Sequence, residues 1–158
     1  MNVNLDSLKL DLGGLDDDSI EGLGREQYRI ACIDSNGRGI RVTHDGEDVE
    51  FWESRFDHAF FTGTNKEVLE KRRIARIKWI CEVIGGRAPN SDCWEVSENL
   101  RKRFYRVVGK GYIIWLEKYQ AECWTFSTAY IAPIAHLHKQ TRGNGAKRIW
   151  KYGQKNAP

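Results

Sequence analysis

Residues Trp52–Ile80, WESRFDHAFFTGTNKEVLEKRRIARIKWI, decide how the chain is read. From about Glu50 the apolar spacing becomes helical, and Phe51, Phe56, Ala59 and Phe60 share much of one face. Gly63 ends that helix, and Thr64 or Asn65 caps a second. The second helix is expected to run to about Ile84, with Leu69, Ile77, Ile80, Cys81 and Ile84 as its apolar stripe. Gly85–Gly86 then stops it.

Upstream, the strand-like runs Tyr28–Ile33 and Gly39–Thr43 flank Asp34-Ser35-Asn36-Gly37-Arg38, so a hairpin is expected there. His44-Asp45-Gly46 reads as a second turn. Downstream, Cys93–Val96, Phe104–Val108, Tyr112–Glu117 and Cys123–Ala132 are rich in aromatic and β-branched residues and read as strands. Gly109-Lys110-Gly111 joins the second of these to the third. The expected fold is α+β: an N-terminal hairpin and two helices, followed by a mostly antiparallel four-stranded sheet.

Charge divides the chain into three parts. Residues 1–24 hold Asp6, Asp11, Asp16, Asp17, Asp18 and Glu21 against Lys9 alone, and read as an acidic N-terminal arm. Residues 136–158 hold Lys139, Arg142, Lys147, Arg148, Lys151 and Lys155 with no acid, and read as a basic tail. The body is residues 25–135. In the tail, Trp150 and Tyr152 offer stacking surfaces beside cations, a pattern suited to a nucleic-acid backbone and its bases. No apolar run approaches the roughly 20 residues that cross a bilayer. The start, MNVNLDSLKLDL, lacks the basic-then-apolar pattern of a secretory signal, so a cytoplasmic protein is expected. Cys32, Cys81, Cys93 and Cys123 form no CxxC pair and sit among apolar neighbours, which predicts reduced, buried thiols.

His58 is the candidate proton carrier, since imidazole changes charge near neutral pH. Arg55 is its helical neighbour. Arg72, Arg73, Arg76 and Lys78 are candidate phosphate ligands, the arginines through bidentate contacts. Arg73 lies nearest the apolar stripe and calls for a specific partner. In Trp124-Thr125-Phe126-Ser127-Thr128-Ala129-Tyr130, strict alternation puts Trp124, Phe126, Thr128 and Tyr130 on one face. The hydroxyls of Thr128 and Tyr130 then reach one site. His136-x-His138 has no convincing further ligands, and Glu117-Lys118 lacks the Glu-x-Lys spacing of a metal-dependent restriction core. Neither a metal nor a cofactor is expected.

RFDHAFF, RRIARIKWI, the pair RFYRVV and GYIIWLE, and WTFSTAY together resemble the phage and toxin branch of the barnase/EndoU/colicin/RelE-like (BECR) nuclease superfamily. The resemblance covers about residues 51–131. It implies metal-independent RNA cleavage through the ribose 2′-hydroxyl, with tRNA or mRNA as substrate. It also implies His58, Arg73, Arg76, Thr128 and Tyr130 as catalytic groups. Arg55, Arg72, Lys78, Lys147 and Arg148 are the RNA-binding cations of this reading. A ribonuclease that harms its own cell also implies an antitoxin or immunity protein as partner. The rival readings are a non-catalytic nucleic-acid-binding module and a protein-interaction module.

Overall fold

The computed structural model describes residues 3–33, 38–96, 101–121, 123–143 and 145–154. Here Tyr28–Ile33 is not a strand. It ends a long helix, α2 (Asp17–Cys32), which follows a single turn, α1 (Leu5–Leu8). Asp16 caps α2 by accepting the Ser19 backbone N–H at 2.8 Å. Ile20, Gly24, Tyr28 and Cys32 recur every fourth residue and are all buried. Gly22 and Gly24 weaken the helical signal in the sequence, but Gly24 is there for proximity. A Cβ at Gly24 would lie 3.1 Å from both Ile74 and Phe56. The boundary drawn at residue 24 therefore falls inside α2, and Leu5 of the acidic segment is itself buried in the main core.

The hairpin forms one turn later than expected. β1 (Arg38–Val42) and β2 (Asp48–Trp52) pair antiparallel across Thr43–Glu47. The Thr43 backbone N–H donates to the Glu47 carbonyl at 2.8 Å, and the Glu47 N–H donates to Thr43 Oγ1 at 2.9 Å. Of the turn expected at Asp34–Arg38, residues 34–37 lie outside the described residues.

The first expected helix is the shorter α3 (Arg55–Phe60). The second is broken twice. A small hairpin, β3 (Phe61–Thr62) with β4 (Val68–Leu69), occupies its first third, turning at Lys66 with φ 54°. The Glu67 carboxylate accepts the Asn65 N–H at 2.9 Å and fixes that turn. The rest divides into α4 (Lys71–Ala75) and α5 (Trp79–Ile84). Between them Arg76, Trp79 and Ile80 donate three residues back, to Arg73, Arg76 and Ile77, a tighter winding than an α-helix.

The strands expected in the second half all enter the sheet, as β5 (Ser91–Val96), β6 (Lys102–Val107), β7 (Tyr112–Gln120) and β8 (Cys123–Ile131). Gly111, at φ 62°, makes the β6–β7 turn as glycine readily does. Two further elements follow: α6 (Ile134–Gln140), which straddles the boundary drawn at 135, and β9 (Ala146–Lys151) within the basic segment. The order is β1-β2-β8-β7-β6-β5-β9. The expected four-stranded, mostly antiparallel sheet with two helices is thus incorrect. The chain is α+β, but with a seven-stranded mixed, curled sheet and six helices among the described residues. The difference arises because β1–β2 joins in parallel alongside β8 while β9 covers the open edge of β5.

One face of the sheet carries the main core, including Val49, Phe51, Tyr105, Tyr112, Ile114, Leu116, Trp124 and Phe126, with α2–α5 packed on it. On the other face a smaller cluster, Val96, Phe104, Ile113 and Leu137, forms beneath α6. The β1–β2 turn folds back across the main-core face. His44 stacks on Trp150 of β9 (4.6 Å between centroids), and its Nδ1 lies 2.6 Å from the Tyr105 hydroxyl. No helix among the described residues is long and apolar enough to cross a membrane.

Burial depresses the His44 pKa from 6.5 to about 4. Between those values the unfolded chain binds a proton that the native His44 refuses, so stability falls as pH drops through this window. At about 1.4 kcal/mol per pKa unit, roughly 3 kcal/mol is lost by pH 4. Denaturant unfolding at stepped pH should show that loss, and His44→Gln should flatten the curve between pH 4 and 6.5. An unchanged slope in the variant would assign the loss to other groups.

Candidate active site

β2 and β8 run parallel for only three residue pairs, Asp48–Glu50 with Cys123–Thr125. Beyond Thr125 the outer edge of β8 is met by α3 instead of a strand. Arg55, at the start of α3, donates its Nε–H to the Phe126 carbonyl at 3.2 Å, satisfying an edge group that β2 no longer reaches. This departure of β2 from β8 makes room for the candidate site.

A bulge in β8 then decides which side chains face it. Trp115 pairs with Thr128 and Leu116 with Phe126, leaving Ser127 as an extra residue. Strict alternation would put Trp124, Phe126, Thr128 and Tyr130 on one face. The bulge separates them: Trp124 and Phe126 stay in the main core, whereas Thr128 and Tyr130 turn to the opposite face. There Thr128 is opposite Trp115 and Tyr130 opposite Ile113, while Glu117 on the same face is opposite Thr125.

Arg73 reaches this face from α4. Its guanidinium lies 5.3 Å from the Tyr130 ring centroid and donates Nη1–H to the Ala59 carbonyl at 3.0 Å. That is the partner a half-buried arginine requires. Arg55 and Arg73 each spend one N–H on the frame among the described residues, leaving further donors of the guanidinium fork for an anion.

His58 is on α3 beside them and makes no hydrogen bond among the described residues. Although the residue is exposed, its ring is partly desolvated on the protein side. That desolvation, then Arg55, Lys66 and Arg73, holds its pKa below 6.5, with Glu117 opposing. The imidazole is therefore neutral near pH 7 and able to accept a proton.

Tyr130 is held on its other side by α6. Its hydroxyl lies 3.0 Å from His136 Nε2 and accepts the Trp115 indole N–H at 3.3 Å. Gln140 Nε2 approaches the same His136 nitrogen at 3.4 Å. With the amide donating to Nε2, that nitrogen is an acceptor and the Tyr130 O–H donates to it.

Of the residues singled out from sequence, His58, Arg55 and Arg73 are grouped, Arg73 reaches the Tyr130 ring, and Thr128 shares the Tyr130 face. Arg72 and Arg76 stand apart. They line a cavity of about 490 Å³ with Asp6, Lys9 and Asp11, and the Arg76 guanidinium sits 5.2 Å from the Trp79 ring centroid. Consecutive helical residues diverge by about 100°, so Arg72 and Arg73 leave α4 in different directions. Lys78 lies in the turn between α4 and α5. Lys147 and Arg148 are exposed on β9, opposite Glu95 and Trp94, at the far edge of the sheet.

Lys66 carried no signal in the sequence, and Glu117 and His136 were read there only as motifs unfit for a metal. His136 had drawn notice as half of a His-x-His pair, but helical residues two apart point in diverging directions. The six-residue separation of His136 from Tyr130 across Pro133 was the available signal. Among the described residues no group of three or more His, Cys, Asp or Glu is placed to hold a metal ion. Comparison with family models, curated proteins and solved structures returns no match.

An NMR titration of His58 should give a midpoint below 6.5. Replacing Arg55 or Arg73 with Met should raise it by removing a neighbouring positive charge, and Glu117→Gln should lower it further. A midpoint at or above 6.5 would mean that these groups do not surround the ring as described.

Proposed function

We propose that the chain is a metal-independent endoribonuclease, cleaving RNA by attack of the ribose 2′-hydroxyl on the adjacent phosphate. The observation that carries this reading is a neutral His58 grouped with the guanidinium groups of Arg55 and Arg73, the latter beside the Tyr130 ring on the face that also bears Thr128. This constellation supplies a base, an acid and charge stabilisation without calling on a metal.

In the proposed reaction His58 removes the 2′-hydroxyl proton. The 2′-oxygen attacks phosphorus, and Arg55 and Arg73 stabilise the charge that builds on the non-bridging oxygens. The bond to the 5′-oxygen breaks, and that oxygen takes the Tyr130 hydroxyl proton. The resulting phenolate, with the Arg73 guanidinium against its ring, takes a proton back from solvent, and His58 releases the one it removed to solvent. Thr128 orients the phosphate. The products are a 2′,3′-cyclic phosphate and a 5′-hydroxyl.

This reading keeps the chemistry implied by the resemblance to the BECR nucleases without depending on the four-stranded frame. A tRNA or an mRNA is the proposed substrate. An antitoxin or immunity protein presenting carboxylates to Arg55 and Arg73 is the proposed inhibitory partner. Arg76, which faces the acidic segment, is not assigned a catalytic part.

The test is incubation of the purified protein with total RNA in excess EDTA, beside His58→Ala and Arg73→Met. Discrete fragments ending in cyclic phosphate are expected, with loss of a general base slowing cleavage about 10²- to 10⁴-fold. RNA binding should persist in His58→Ala. Intact RNA with salt-sensitive binding would favour the non-catalytic module. Loss of binding and cleavage together in His58→Ala would remove His58 from the chemistry.

A further inference from the structure

The face that bears Thr128 and Tyr130 also bears a row of aromatic residues. Trp94, Phe104, Trp115 and Thr128 are directly opposite one another on β5, β6, β7 and β8. Trp94 and Phe104 are parallel within 2° at 6.2 Å, and Phe104 meets Trp115 at 4.8 Å. Phe104 is fully buried under α6, whereas Trp115 keeps part of its surface open. The Trp115 indole is fixed at both ends, by Phe104 on one side and by its N–H bond to Tyr130 on the other. An ordinary core tryptophan does not adjoin the candidate phosphate ligands in this way.

Resting on the ribonuclease reading, we infer that Trp115 is the floor of a nucleobase subsite adjoining the scissile phosphate, occupied by one unstacked base of single-stranded RNA. Neighbouring strands lie about 4.8 Å apart. A phosphate held over β8 by Arg55 and Arg73 therefore places an adjacent base over β7, where Trp115 stands. A rigid indole offers a π-face that any base can stack on at little entropic cost. Charge complements the surface. Arg55, Lys66 and Arg73 lie at one end of the face. Exposed Arg148 stands opposite Trp94 at the other end. The two ends are four strand spacings apart, roughly 19 Å, so the backbone leaving the site is directed towards a further cation, Arg148.

The experiment compares two probes of equal length: 2′-O-methyl tetranucleotides of each homopolymer, which cannot be cleaved, and a base-free phosphate–tetrahydrofuran backbone. Trp115→Leu keeps an apolar contact with Phe104 but offers no stacking surface, and Trp115→Phe restores a smaller one. Wild-type protein should bind at least one tetranucleotide more tightly than the bare backbone. Trp115→Leu should weaken that binding about tenfold or more while leaving the backbone's affinity unchanged, and Trp115→Phe should recover part of the loss. Equal weakening of both probes, or retention of base-dependent affinity in Trp115→Leu, would overturn the subsite even if the protein cleaves RNA. If wild-type protein binds neither probe and leaves total RNA intact, the ribonuclease reading falls and the subsite with it.

Discussion

The architecture depends on one buried guanidinium. Arg103 on β6 is 2% exposed and points into the main core. It meets Asp45 through two bonds of 3.0 and 3.1 Å, Glu47 at 3.2 Å and Glu95 at 3.0 Å, and lies 4.6 Å from the Trp124 ring centroid. Asp45 and Glu47 belong to the β1–β2 turn, so this cluster ties the tip of the hairpin to the middle of the sheet. A buried charge is tolerable only when matched, and removing one side of such a cluster typically costs about 3–5 kcal/mol. That is a large share of the roughly 5–15 kcal/mol that holds a domain folded. The anchored tip leads directly into the three residue pairs by which β2 joins β8, and β2 leaves β8 beyond them. α3 then brings Arg55 and His58 to the vacated edge.

The sequence reveals those parts of the fold whose signals are local. β5–β8 are dense in aromatic and β-branched residues, and the glycine turn between β6 and β7 can be read directly. α2 is not so plain, since glycines interrupt its buried stripe and one of them serves a contact with Phe56 and Ile74 rather than a turn. The division of the second helix is also hidden. Arginines and isoleucines suit a continuous helix, and only the positive φ at Lys66 and the tight winding after α4 interrupt it. The parallel β2–β8 junction and the β5–β9 pair are long-range choices that no window of sequence contains.

The candidate site divides in the same way. His58, Arg55 and Arg73 were legible because helical spacing and an arginine beside an apolar stripe are local patterns. Thr128 and Tyr130 were read as sharing a face, as they do, but their face was assigned wrongly because a one-residue bulge inverts the alternation after Phe126. Glu117 and His136 come from other elements, and only the assembled fold brings them near. Arg76 shows the reverse error: it shares the arginine cluster in sequence yet faces the acidic segment in space.

The short β2–β8 junction has a kinetic consequence. β5–β6, β6–β7 and β7–β8 are joined by short connections and can zip together early. Asp48 and Cys123, by contrast, pair across 75 residues of chain, a closure whose entropy must be met before any contact there is rewarded. By that entropy alone, docking of the hairpin and α3 follows zipping of the meander. Since Arg55 and His58 arrive with that step while Thr128, Tyr130 and Glu117 wait on the meander, partly folded chains hold the two halves of the site apart. The candidate site is assembled only once that long-range contact has formed.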